Sequence, residues 1–170
     1  IFDDIDDFQE GVARVWQDGN AGFIHESGKM IIEPIYDGGG LFLREEIIMV
    51  SHDVGYGKFE SLYFNTKSEK LDFNNFDNIE AFNCGLSCAK CNGKYGYINK
   101  NGEVALPFIY ESAQSFHDGL AGVKINGFWG MINIHGEMII PSIYEDNMMS
   151  PGLFYNFYEG RIWVVKNNKC

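Results

Sequence analysis

The sequence predicts an all-β chain of tandem three-stranded antiparallel meanders forming a curved and twisted array, with a propeller-like closed arrangement as the alternative. Three observations predict it. Residues 92–107, NGKYGYINKNGEVALP, return 34 positions later as NGFWGMINIHGEMIIP at 126–141. Apolar positions recur with a period of two, and no segment sustains the 3.6-residue period of a helix. Asn-Gly and Asp-Gly pairs stand between those runs, where a tight hairpin requires positive backbone angles.

Phenylalanines mark the phase of the repeat. Phe8 to Phe42 and Phe82 to Phe116 each span 34 residues, while Phe42 to Phe82 and Phe116 to Phe157 span 40 and 41 and hold insertions. The units are 8–36, a degenerate 42–76, 82–110, 116–144 and a partial 157–170, about four and a half repeats in a single domain over 1–170. Each anchor opens a phrase ending in glycine: Phe8-Gln-Glu-Gly11, Phe82-Asn-Cys-Gly85, Phe116-His-Asp-Gly119 and Phe157-Tyr-Glu-Gly160. The second copy, Phe42-Leu-Arg-Glu45, lacks that glycine.

The first strand of each unit follows the phrase. Ala13/Val15, Ile47/Met49, Ala89, Ala121/Val123 and Ile162/Val164 share one apolar face, which predicts core. Arg14, Trp16, Lys90, Lys124 and Trp163 fall on the opposite face. Asp18-Gly19, Asn92-Gly93 and Asn126-Gly127 then predict hairpins into a second strand at 22–24, 62–64, 96–98 and 130–132. A third strand runs through 29–32, 103–106 and 137–140, closed by Pro34, Pro107 and Pro141 because proline offers no ladder donor. Between units the spacing changes to three, as in Phe2-x-x-Ile5-x-x-Phe8 and Tyr110-x-x-Ala113-x-x-Phe116. That spacing predicts a loop or one helical turn pinning two aromatics into the core.

Together these positions resemble the WG-repeat family, also called KWG repeats. Phe116 to Tyr144 carries the whole pattern, including Trp129-Gly130; Phe82 to Tyr110 carries nearly all of it with Tyr95-Gly96; Phe8 to Tyr36 has Ala21-Gly22 where Trp-Gly belongs. The stretch 42–76 departs, losing the Trp-Gly, the turn glycine and the proline. The resemblance implies a bacterial β-repeat protein and assigns no biochemistry.

Phe8, Gly22, Phe82, Gly96, Phe116, Trp129 and Gly130 are therefore expected to be structural repeat positions. The glycine of each Trp-Gly faces the same side as Ile98 or Ile132 and is expected to let a neighbouring strand or an adjacent repeat's aromatic come close. Cys84, Cys88 and Cys91 spell C-x3-C-x2-C, a spacing found in iron–sulfur radical enzymes. Strand phase separates Cys91 from the other two, so they predict no cluster. Glu10, Asp118 and Glu159 recur before glycine as turn carboxylates. His25, His52, His117 and His135 lack metal-ligand spacing. The acidic run Asp3-Asp4-Ile5-Asp6-Asp7 lacks the glycine and distal glutamate of a calcium loop. No catalytic residue, metal or cofactor is expected.

A net charge of −11 over 170 residues opposes nucleic-acid binding, and no apolar run reaches the roughly 20 residues needed to insert in a membrane. Free thiols favour the cytoplasm. Because the sequence opens on Ile1, a preceding signal peptide would place the protein at the cell envelope instead. The expected function is a non-enzymatic scaffold binding proteins or peptides, with a carbohydrate- or envelope-surface-binding module as the alternative. The candidate binding strip is Arg14, Trp16, Lys90, Lys124, Arg161 and Trp163, basic and aromatic residues gathered in an acidic chain. Oligomeric state is left open.

Overall fold

The computed structural model describes residues 1–37, 40–42 and 45–145. The partial repeat 157–170, with Arg161, Trp163, Ile162 and Val164, lies outside them. The described residues are all β, without helix, and their strands form four antiparallel sheets of four strands each in simple sequence order. The chain divides into two compact units. Ile1–Phe73 holds the sheets β1 (Asp4–Ile5), β2 (Val12–Gln17), β3 (Asn20–His25), β4 (Met30–Tyr36) and β5 (Gly40–Phe42), β6 (Ile47–Gly55), β7 (Lys58–Asn65), β8 (Lys70–Leu71). Asn74–Cys170 holds β9 (Asn78–Ile79), β10 (Leu86–Cys91), β11 (Lys94–Asn99), β12 (Val104–Tyr110) and β13 (Ser112–Ala113), β14 (Leu120–Ile125), β15 (Phe128–Asn133), β16 (Met138–Tyr144).

The fourth strand of each sheet is a correction to the sequence reading. The linker is neither a loop nor a helical turn; it pairs with the first strand of the meander that follows, Ile5 opposite Val15, Ile79 opposite Ala89 and Ala113 opposite Val123. Linker amides flanking β13 complete the ladder: Glu111 N–H donates to Lys124 O at 2.9 Å and Gln114 N–H to Gly122 O at 3.0 Å. Three-residue spacing misled because bonds alternate along so short a strand, and its ends mimic a turn. The anchor phrases then make two-residue turns. Glu10-Gly11, Cys84-Gly85 and Asp118-Gly119 all have positive φ, and each turn is closed by a bridge, such as His117 with Leu120.

The third strand is a second correction. Proline does not end it; β4, β12 and β16 run on to Tyr36, Tyr110 and Tyr144 through a bulge. Opposite β3 the pairs Phe23 with Ile32 and Ala21 with Tyr36 leave Glu33, Pro34 and Ile35 facing Gly22 alone. A proline is tolerated in an edge strand at a bulge, where its missing donor breaks no ladder bond.

The first turn after the second strand is held by one repeated clamp. Asn99 Oδ1 accepts the N–H of Asn101 (2.9 Å) and of Glu103 (3.0 Å), and its Nδ2 donates to Glu103 Oε2 at 2.7 Å. Asn65 with Glu69 and Asn133 with Glu137 repeat this arrangement. In the first copy His25 substitutes, its Nδ1 accepting the Ser27 N–H at 3.1 Å.

The degenerate copy keeps this plan, shifted by one residue. Glu45 and Glu46 take the left-handed turn at φ 49° and 72°, where other copies end in glycine. The core positions of β6 are therefore Ile48 and Val50, both fully buried and opposite Phe64 and Leu62, whereas Met49 is only half-buried. Of the expected Ile47/Met49 pair, Ile47 is fully buried, at the position Val12 holds in the first sheet, and only Met49 falls outside the core. The copy's turn glycine is also present, as Gly57, at the end of a longer hairpin. Ser68, at φ 70°, occupies the position of Gly28, Gly102 and Gly136. Non-glycine residues in this region cost about 1–2 kcal/mol, so Glu46→Gly and Ser68→Gly are each expected to stabilise by about 1 kcal/mol. A raised urea midpoint at unchanged slope checks this.

Within each unit the two sheets pack face to face. Val12, Phe23 and Ile32 of the first sheet meet Ile48 and Val50 of the second. Cys88, Tyr97 and Leu106 of the third meet Ala121, Val123 and Ile132 of the fourth. Phe82 and Phe116 are buried, and the Phe116 ring lies tilted against Tyr97 with centroids 4.6 Å apart. Phe8, expected in the core, is 47% exposed.

Candidate functional site

The Trp-Gly motif is the repeated chemistry of the chain, and its glycine answers to the bulge. A Cβ on Gly130 would lie 2.6 Å from Ile140 O and 2.8 Å from Ser142 N. On Gly22 it would lie 2.6 Å from Ile32 O and 2.7 Å from Pro34 N. Only hydrogen fits under a strand that crosses this closely. The close approach expected of the glycine is thus made by the unit's own third strand.

The aromatic of the motif sits on the opposite sheet face beside a cation. Lys90 is paired with Tyr95 and holds its Nζ 5.4 Å from the ring centroid; Lys124 is paired with Trp129. In the first copy Ala21 replaces the aromatic, and the residue paired with it is Trp16. The ring has moved across the hairpin, with Arg14 Cζ 5.1 Å from its centroid. Such stacks contribute about 0.5–1 kcal/mol at exposed sites.

This places the sequence-predicted strip. Arg14 and Trp16 lie on the face of β2 that also carries Val12, packed on the second sheet. Arg14 Nε donates to Asp6 Oδ2 at 2.8 Å, and its Nη2 lies 2.7 Å from the same oxygen. Lys90 shares the face of Cys88, packed on the fourth sheet, and Lys124 holds the same register position in β14. All four are half-buried, and Arg161 and Trp163 lie outside the described residues. Asp6 thus belongs to an ion pair, and Asp3 of the same acidic run accepts the Asp18 N–H at 2.7 Å, capping the hairpin.

Strand phase separates Cys88 from Cys91 as expected, whereas Cys84 stands in the turn before the strand and not on its Cys88 face. Cys84 is exposed in a turn, Cys88 is buried and Cys91 is half-buried on the other face of β10; Cys170 is outside the described residues. Burial, with Glu80 nearby as a second cause, pushes the Cys88 thiol up to about 12 from 9.0. Iodoacetamide at about pH 8 is expected to label Cys84 readily and Cys88 only on unfolding, as site-resolved mass spectrometry will show. The unfolded chain releases the Cys88 proton at lower pH than the folded one, so this thiol's contribution to stability falls as pH rises from about 9 towards 12.

His25 is engaged in its turn, and His52 Nδ1 lies 3.8 Å from Asp37 Oδ2 with Tyr36 edge-on to the ring. His117 closes a turn bridge, and the His135 N–H caps on Asn133. Among the described residues no group of three or more His, Cys, Asp or Glu is placed to hold a metal ion. Glu10 is a turn residue whose Oε2 accepts the Glu45 N–H of the next copy at 2.9 Å, joining two equivalent turns.

Sequence reasoning passed over the isoleucine before each repeat tyrosine. Ile35, Ile109 and Ile143 are 63%, 58% and 58% exposed, each within its bulge on the last strand of its sheet. The recurring Ile-Tyr pair was the available signal. Also unremarked was the tip of the long β6–β7 hairpin, where Val54, Tyr56 and Phe59 are exposed.

No curated protein matches the chain. The family model for the WG containing repeat matches it five times, over residues 1–20, 22–56, 71–95, 95–127 and 129–170. With this repeat covering most of the sequence and its Trp-Gly geometry accounted for, the chain belongs to the WG-containing repeat family.

Proposed function

We propose that the chain is a non-enzymatic repeat scaffold that binds a protein partner through side chains on the bulged edges of its sheets. The observation that carries this reading is the recurrence of Ile35, Ile109 and Ile143, apolar and more than half exposed at one repeat position. Folding gains little from an isoleucine left in water, whereas burying it against a partner contributes about 1.5–3 kcal/mol. In the Asn74–Cys170 unit Val104 and Ile139, also exposed, enlarge the apolar surface of β12 and β16. The bulges and prolines interrupt the backbone edge, which disfavours strand addition and leaves side-chain contact as the mode of recognition.

Ile109→Glu combined with Ile143→Glu tests the reading. Both are exposed, so stability is expected to hold within about 0.5 kcal/mol per site, while affinity capture from the source lysate loses partners that the unchanged chain retains. Undiminished capture by the stable double variant contradicts the proposal.

A further inference from the structure

The hairpin of the degenerate copy departs from the others in length and in chemistry. The other three end two residue pairs beyond the core position, as in Val15 opposite Gly22 and then Gln17 opposite Asn20. β6 and β7 continue from Val50 opposite Leu62 out to Gly55 opposite Lys58. The first turn residue elsewhere is Asp18, Asn92 or Asn126, types that accept the left-handed region, whereas here it is Tyr56 at φ 57°. Tyr56 gains no packing in return, being fully exposed, and Val54 and Phe59 beside it are 52% and 61% exposed. Asp53 Oδ1 accepts the Gly55 N–H at 2.7 Å where the register shifts. A residue that breaks a local rule without a folding return points to function.

We infer that the β6–β7 tip is a docking finger whose Val54, Tyr56 and Phe59 enter an apolar, basic-rimmed pocket on a protein partner. The inference rests on the protein-binding reading above and gives that partner its chemistry. A protruding tip needs a concave receptor. Two aromatics and a valine offer roughly 400–500 Å², short of the about 800 Å² per partner of a stable assembly, so the tip cannot by itself pair two copies of this chain. It serves as an anchor that other contacts supplement. Asp53 and Glu60 flank the apolar side chains, with Lys58 the one cation among them, and the chain carries a net charge of −11. That charge selects a Lys- or Arg-rimmed receptor and disfavours anionic lipid.

The test uses the full chain with a benzophenone amino acid at position 56, irradiated in source lysate, beside the variants Tyr56→Asn and Phe59→Ser. Tyr56→Asn restores the residue type of the other hairpins and is expected to raise Tm by about 2–4 °C while lowering retention of the cross-linked partner about thirtyfold. Phe59→Ser is expected to lower retention similarly. The cross-linked peptide should be apolar with flanking Lys or Arg, and retention should weaken as salt rises from about 0.1 M to about 0.5 M. Full retention by both variants overturns the docking finger, as does a cross-link to a second copy or no cross-link at all. A fall in Tm for Tyr56→Asn overturns the argument from strain. Co-sedimentation with phosphatidylcholine vesicles that depends on Tyr56 assigns the tip to a lipid surface and overturns the protein pocket. If Ile109→Glu with Ile143→Glu abolishes capture and the tip variants do not, the scaffold reading stands without the finger; if neither set matters, both fall.

Discussion

Tyr97→Ala is expected to destabilise the protein by about 3–5 kcal/mol, the range for truncating a large buried aromatic. That is a large part of the about 5–15 kcal/mol that holds an ordinary domain together. Tyr97 is fully buried between the third and fourth sheets, 4.6 Å from the Phe116 ring and 6.3 Å from Tyr110, and its hydroxyl donates to Gln114 O at 2.8 Å. The residue thus couples one repeat to the linker strand of the next. Tyr97→Phe keeps the rings and leaves Gln114 O without this donor, so about 1–3 kcal/mol is expected. Urea unfolding of the two variants separates the ring from the hydroxyl. Burial raises the Tyr97 hydroxyl well above its ordinary range, so it remains a donor wherever the protein is handled.

Gly130→Ala is the second large effect, about 3 kcal/mol. The three atoms nearest the added methyl would all be backbone: Ile140 O at 2.6 Å, Ser142 N at 2.8 Å and Ser142 Cα at 2.9 Å. Nothing there can rotate away, so the bulged strand itself must move. Gly22→Ala meets the same obstacle in Ile32 O and Pro34 N. Gly127→Ala has open space around it but holds φ 80°, and the left-handed penalty of about 1–2 kcal/mol sets its smaller loss.

Much of this architecture was legible because turn chemistry is local. Asn92-Gly93 and Asn126-Gly127 name their hairpins, and the alternation through Ala121 and Val123 names the buried face. What was not legible depends on pairing between segments. A two-residue strand such as Ser112–Ala113 has no periodicity of its own and is defined by its partners Lys124 and Val123. The run through Pro107 to Tyr110 becomes strand only because a bulge absorbs the mismatch opposite Gly96. Ser87, fully buried where the first and fourth sheets place Ala13 and Ala121, was hidden by its polarity; its hydroxyl donates to Glu80 O at 2.6 Å. For the candidate site, the sequence showed which residues are basic or aromatic. It did not show that Arg14 is held by Asp6, nor that an isoleucine inside each bulge is left exposed.

The central claim is that the glycine of Trp-Gly exists to let the bulged third strand cross it. Its most direct test is the difference in equilibrium unfolding between Gly130→Ala and Gly122→Ala. The two glycines lie on paired strands of one sheet, next to each other in register. A Cβ on Gly122 would come within 2.5 Å of Gln114 Oε1, the end of a flexible side chain, so a loss under about 1 kcal/mol is expected once Gln114 swings aside. Gly130→Ala is expected to lose at least about 2 kcal/mol more. Equal losses, or a greater loss at Gly122, would contradict the account and return the motif's glycine to an unexplained feature of the repeat.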